Sequence, residues 1–144
     1  MRNFVYPATL SPEKRGGVTV QFLDLPEAIT SGKDRADAVA QAADCLDEAI
    51  AGRIVDGLEI PEPSASRRRQ VPVPLPAPMA AKAALYLAIK ESGVSNVELA
   101  RRLGFDEREI RRILDPRHAT RLARIQQVLE ALGKRLVVSM DSAA

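Results

Sequence analysis

A chain of 144 residues, 46% hydrophobic but only 3% aromatic and without tryptophan, has room for one average domain or two small ones, with cores built mainly from Ala, Leu, Val and Ile. One cysteine, Cys45, excludes an internal disulfide framework, and one histidine, His118, excludes His-based triads and multi-histidine metal sites. The formal net charge of +2 hides a division, because residues 1–63 sum to −5 and residues 64–144 to +7; such a split suggests an acidic surface for a basic protein and a basic surface for an anionic polymer.

From the N-terminus, Phe4, Tyr6, Ala8 and Leu10 alternate along one strand, and Val18, Val20 and Phe22 along a second. The polar, glycine-containing stretch Glu13-Lys14-Arg15-Gly16-Gly17 suits a hairpin turn between them. Asp24-Leu25-Pro26 is expected to bend the chain, with Ala28-Ile29-Thr30 as a short third strand. A helix starts after Asp34, with Asp37 completing a box-like cap, and Gly52 is the expected stop. Its apolar stripe is read as Ala36, Val39, Ala43, Leu46 and Ile50, leaving Asp37, Asp44, Asp47 and Glu48 outward; Cys45 is read as a small packing residue. The first domain, residues 1–63, is therefore an α+β layer of helix on a small antiparallel sheet.

Residues 64–78 read as a proline-rich linker. Val71-Pro72-Val73-Pro74-Leu75-Pro76-Ala77-Pro78 is expected to be extended, because each proline sets its own φ and biases the residue before it. Arg67-Arg68-Arg69 in this stretch is read as a solvated charge run in preference to a nucleic-acid contact.

The pattern then becomes all-helical over the third segment, residues 79–144. Lys82 to Ser92 carries Leu85, Ala88 and Ile89 on one face. Ser95 with Glu98, and Asp106 with Glu109, are capping boxes for two short helices separated by Gly104, and Pro116 closes the second of them. Thr120 is the expected cap of a further helix bearing Leu122, Ile125, Leu129 and Leu132 and ending at Gly133. Small Ala100, Gly104 four residues later, and apolar Leu99, Leu103, Phe105, Ile110 and Ile113 form the pattern of a helix-turn-helix from Asn96 to Asp115.

With Ile110, Ile113 and Leu114 turned inward, the free face of the second short helix presents Glu107, Arg108, Arg111 and Arg112. Arginine recognises guanine edges and phosphates, Glu107 can accept from a cytosine, and Asn96 is placed to reach a phosphate or an adenine. Arg101, Arg102, Arg117, Arg121 and Arg124 surround that face and offer sequence-independent attraction to operator double-stranded DNA. Arg135 to Met140 reads as a short strand, with Leu136, Val137 and Val138 available to pair with a second copy in a homodimer or higher homo-oligomer.

No catalytic residue, metal site or cofactor emerges: there is no glycine-rich phosphate loop, and of the acids able in principle to bind Mg²⁺, Asp24, Asp44 and Asp47, the last two lie on the solvated side of a helix and are better explained by solubility. No run approaches the ~18 apolar residues of a membrane span, and the first residues lack the apolar core of a signal peptide. A soluble, cytoplasmic, non-enzymatic protein is the expectation.

Gly17-Val18-Thr19-Val20-Gln21-Phe22-Leu23-Asp24-Leu25-Pro26, Thr30-Ser31-Gly32, the Ala-rich helix and Ile60-Pro61-Glu62-Pro63-Ser64 resemble the N-terminal domain of HicB-type antitoxins. Lys82-Ala83-Ala84-Leu85-Tyr86, Leu99-Ala100-Arg101-Arg102-Leu103-Gly104 and Arg112-Ile113-Leu114-Asp115-Pro116-Arg117-His118 resemble the C-terminal half of the same family. Leu23 and Glu27 depart from it, standing where the family more often has Pro and Gly. The resemblance implies a reduced ribonuclease-H-like fold without catalytic acids that binds a HicA-type mRNA-cleaving toxin, and a helix-turn-helix that represses the pair's own operon. On that basis Asp24, Asp37, Asp44, Asp47 and Glu48 are the toxin-facing candidates. The alternative is a stand-alone transcriptional regulator whose N-terminal domain binds a ligand or another protein.

Overall fold

The computed structural model describes residues 1–142. The chain divides into two units, Met1–Ala80 and Ala81–Ala144.

The first unit is a four-stranded antiparallel sheet of order β3-β2-β1-β4, comprising β1 (Val5–Pro12), β2 (Val18–Phe22), β3 (Leu25–Gly32) and β4 (Gln70–Pro74), with the long helix α1 (Arg35–Asp56) on one face. The first hairpin closes as its composition predicts. Glu13 N–H donates to the Gly17 carbonyl, and Gly16 and Gly17 take the positive φ values that the turn requires. Pairing of Ala8 with Phe22 and Leu10 with Val20 puts the alternating apolar residues of both strands on the face that α1 covers.

Proline determines where the remaining strands lie. The second turn is made by Leu23 and Asp24, and β3 is longer than expected, with Pro26 inside it; this works because β3 is an edge strand. The expected spacer is also structured at its centre, where Gln70–Pro74 pairs with β1 as the opposite edge. Pro72 faces Pro7 across that ladder. Two imides without N–H groups can oppose each other only at a non-hydrogen-bonded position, each turning its missing donor outward. On the β1 side this falls just beyond Ala8, the last residue of β1 paired with β2. Val73 is buried, so the Val-Pro alternation that reads as an extended linker is the in-out alternation of an edge strand.

α1 starts at its Asp34 N-cap, whose carboxylate accepts from the Asp37 amide, but it runs through Gly52 and stops at Gly57 in the left-handed conformation. Ala51 and Ile54 beyond Gly52 are buried, and their burial carries the helix one turn further. The buried stripe is Ala38, Ala42, Leu46, Ile50, Ala51 and Ile54, whereas Ala36 and Val39 are exposed. Small residues early in α1 bring its backbone very close to β3. A Cβ built on Gly32 would lie 2.3 Å from the Ala38 nitrogen.

The segment from α1 to β4 is irregular but anchored by side chains. Arg53 bridges Glu27 with two hydrogen bonds and donates to the Glu59 carbonyl; Arg2 donates to the Ile60 carbonyl, and the buried Tyr6 hydroxyl to that of Pro61. Burial raises the pKa of Tyr6, and the Arg53 guanidinium lowers that of Glu27.

The second unit contains most of α2 (Ala77–Ser92), then α3 (Asn96–Leu103), α4 (Glu107–Leu114) and α5 (Leu122–Ala131). α2 starts five residues before Lys82 and takes Pro78 into its first turn, where a proline's missing N–H leaves no bond unmade. Leu85, Leu99, Ile110, Ile113, Ile125 and Val128 form the centre of its core. α5 begins after Arg121 without a side-chain cap, so Thr120 does not play the capping part expected of it. Arg135–Met140 forms no ladder with any described residue: Leu136 packs on the core, while Val137 and Val138 are exposed.

Gly32→Ala should destabilise the first unit by about 2–3 kcal/mol or more, since the new methyl meets backbone that cannot rotate away. Chemical denaturation followed by circular dichroism measures this, and a shift under about 0.5 kcal/mol would contradict the close approach of α1.

Candidate functional site

α3 and α4 are eight-residue helices joined by Gly104, Phe105 and Asp106. Ser95 and Asp106 cap them through the Glu98 and Glu109 amides, and Gly104 adopts φ 70° at the turn, where the Phe105 N–H returns to the Ala100 carbonyl. The two glutamates do not close their boxes. Glu98 binds Arg101 with two hydrogen bonds, at 2.6 and 2.9 Å, and Arg102 at 3.1 Å; these two guanidiniums, Arg101 foremost, lower its pKa to about 2. Glu109 pairs with Arg124 at 3.1 Å, and the Arg124 guanidinium lies 4.5 Å from the centre of the Phe105 ring. Arg124 thus joins α5, the turn and α4, and its part is structural as well as electrostatic.

The exposed side of α4 is the one expected. Ile110 and Ile113 are buried, and Glu107, Arg108, Arg111 and Arg112 are exposed. Arg108, Arg111 and Arg112 make no ion pair with any described residue, whereas Arg101 is engaged by Glu98. Asn96 is exposed at the first position of α3, and Arg117 follows α4 in a turn where its amide donates to Asp115. The structure therefore gathers three unpaired arginines on one helix face.

What holds that helix was missed in the sequence. Lys82 in α2 is 5% exposed, and its ammonium donates to the Ile113 carbonyl at 2.6 Å, the Arg112 carbonyl at 3.4 Å and Thr120 Oγ1 at 2.7 Å. It satisfies carbonyls at the C-terminus of α4, where a cation is favoured. Thr120 in turn lies 3.0 Å from His118 Nδ1, which explains why it is not free to cap α5. Desolvation lowers the Lys82 pKa to about 8, opposed in part by the Asp115 carboxylate. A signal was present: Lys82 stands three residues before Leu85, on the apolar stripe of its own helix.

The acidic candidates of the first unit separate into two groups. Asp24 accepts from the Ser64 amide and hydroxyl, and Asp37 accepts from the Lys33 amide at 2.8 Å, so both are engaged in holding the fold. Asp44 and Glu48 are exposed on α1, with Asp47 half-buried beside them at helical spacing. Among the described residues no group of three or more His, Cys, Asp or Glu side chains could hold a metal ion, and no helix is long and apolar enough to cross a membrane.

Residues 5–84, from β1 into α2, match the family described as HicB_like antitoxin of bacterial toxin-antitoxin system. The chain belongs to the HicB-like antitoxin family. It is 36% identical over 141 residues to Antitoxin HicB 1 of Photorhabdus laumondii, covering 98% of this chain and 90% of that protein. Identity to Antitoxin HicB of Escherichia coli K12 is 38% over 135 residues, 94% of this chain and 98% of the relative. Antitoxin HicB of Pseudomonas fluorescens is 33% identical over 132 residues, 91% of this chain and 90% of its own. Membership of this HicB-like family supports an antitoxin role.

The buried lysine makes folding depend on pH. Below about pH 8 both states hold the Lys82 proton, and the folded state bears its desolvation. Between about 8 and the ordinary value of 10.5 the folded chain releases that proton while the unfolded chain keeps it, so stability rises with pH. The gain across this window is on the order of 2–3 kcal/mol at ~1.36 kcal/mol per pKa unit. Urea unfolding of the wild type and Lys82→Met at pH 7.5 and 10.5 should show the gain in the wild type alone; parallel profiles would contradict it.

Proposed function

We propose that this chain neutralises a HicA-type mRNA-cleaving toxin through its acidic first unit and represses its own operon through α4 of its second. The observation that carries the DNA-binding half is the face of Arg108, Arg111 and Arg112, exposed, unpaired and mounted on a helix whose end is held by a buried lysine. Arginines three and four residues apart on a short capped helix suit the major groove, with Glu107 and Asn96 as further polar contacts. Arg101 and Arg117 add phosphate contacts at the border of this face. The toxin-binding half is supported by family membership and by the outward acids Asp44, Asp47 and Glu48, complementary to a basic partner. Asp24 and Asp37 act indirectly in this account, by shaping the ends of β3 and α1.

Homodimerisation suits the usual two half-sites of such a motif. The exposed Val137 and Val138, beside Leu136 seated on the core, are the proposed contact with a second copy, each chain supplying the strand partner that the other lacks. The activity is binding without catalysis and without a cofactor, in the cytoplasm, where mRNA and operator DNA are both met.

Two full-length variants test the division. Arg108→Ala/Arg111→Ala/Arg112→Ala should lose operator binding while still rescuing growth from the toxin. Each base contact is worth about 1–3 kcal/mol, so losing two weakens binding about thirty-fold or more. Asp44→Asn/Asp47→Asn/Glu48→Gln should retain operator binding in a gel-shift titration and lose rescue. Unchanged operator affinity in the arginine variant would refute the proposed DNA-reading face.

A further inference from the structure

The two units do not divide charge where the sequence does. Arg67, Arg68 and Arg69 fall within Met1–Ala80, which leaves that unit at −2 and the second at +4. An otherwise acidic body therefore carries three consecutive arginines at one place. All three are exposed, and none makes an ion pair with a described carboxylate, although eleven acidic residues precede them in the same unit.

The segment is a defined turn and not a loose charge run. Gln70 N–H donates to the Arg67 carbonyl at 3.1 Å, while Gln70 Oε1 accepts from the Arg67 amide at 2.7 Å. Arg69 has φ 70°, the one non-glycine residue at positive φ among the described residues. That conformation is disfavoured for a residue with a Cβ, and placing three cations in succession adds repulsion. The next residue, Gln70, opens β4 and pairs with Thr9, so the turn is mounted directly on the sheet. The turn is held by its bonds to Gln70, yet its three guanidiniums are exposed and none is paired with a described carboxylate.

We infer that the Arg67–Arg69 turn is a second, sequence-independent contact with the phosphate backbone of duplex DNA. Guanidiniums bind phosphate oxygens bidentately, and duplex DNA presents the densest row of them. The neighbouring Gln70 amide is engaged by the Arg67 N–H and by Thr9, so the contact inferred is to phosphates and adds affinity without specificity. A basic toxin would be repelled by the turn. The inference rests on the proposed DNA-binding role of the second unit, whose hold on a duplex raises the local concentration of phosphates for the turn.

The test uses the full chain and two duplexes of equal length, one from its own promoter and one of shuffled sequence, titrated across a series of salt concentrations. Arg67→Gln/Arg68→Gln/Arg69→Gln should weaken binding to both duplexes by the same factor, ten-fold or more at low salt. Its slope of log affinity against log salt should be shallower by about 2–3, at ~0.9 per lost phosphate contact. The triple lysine variant should keep the wild-type slope. An unchanged slope in the glutamine variant would overturn the inference and leave the α4 reading intact. Loss confined to the promoter duplex, or loss of toxin neutralisation with DNA binding unaltered, would also overturn it. A wild-type chain that bound neither duplex would overturn both readings together.

Discussion

The second unit depends on a single buried ammonium. Lys82 reaches from α2 to the last turn of α4 and to Thr120, so one side chain ties α2 both to the end of α4 and to the turn that follows it. Helix C-termini leave carbonyls without partners, and burying them unsatisfied is costly. A lysine answers this at the expense of its own desolvation, visible in a pKa lowered to about 8. The result is a short helix whose inner face and C-terminal end are both held, with its arginine face left exposed.

The first unit solves a different problem, that of sheet edges. Its two outer strands carry Pro26 on one side and Pro72 and Pro74 on the other, positions at which a missing donor discourages further strand pairing. The close seat of α1 on β3, at Gly32 and Ala38, leaves the outer face of α1 as a broad surface rich in carboxylates. A domain closed at its edges and acidic on its helix suits specific binding of one basic protein.

Much of this was legible in the residues. Alternation placed β1 and β2, and Ser95, Gly104 and Asp106 marked the ends of α3 and α4, because caps and left-handed glycines act locally. What could not be read depends on contacts distant in sequence. Gly52 looks like a helix stop until the burial of Ala51 and Ile54 is known, and the Val-Pro run looks like a linker until β1 is beside it. The buried stripe of α1 differs from the expected one because alanines occur all around that helix and leave its period ambiguous. The burial of Lys82 is not plainly legible in the residues, because a lysine in a helix is ordinarily solvated.

The central claim is that one chain carries two separable surfaces, acidic on α1 and basic on α4. Hydrogen exchange on the full-length protein, with toxin alone and then with promoter duplex alone, tests this most directly. The toxin should slow exchange in α1 and leave α3 and α4 unchanged, and the duplex should protect α3 and α4 while leaving α1 unchanged. Protection of the same elements by both ligands would contradict the account.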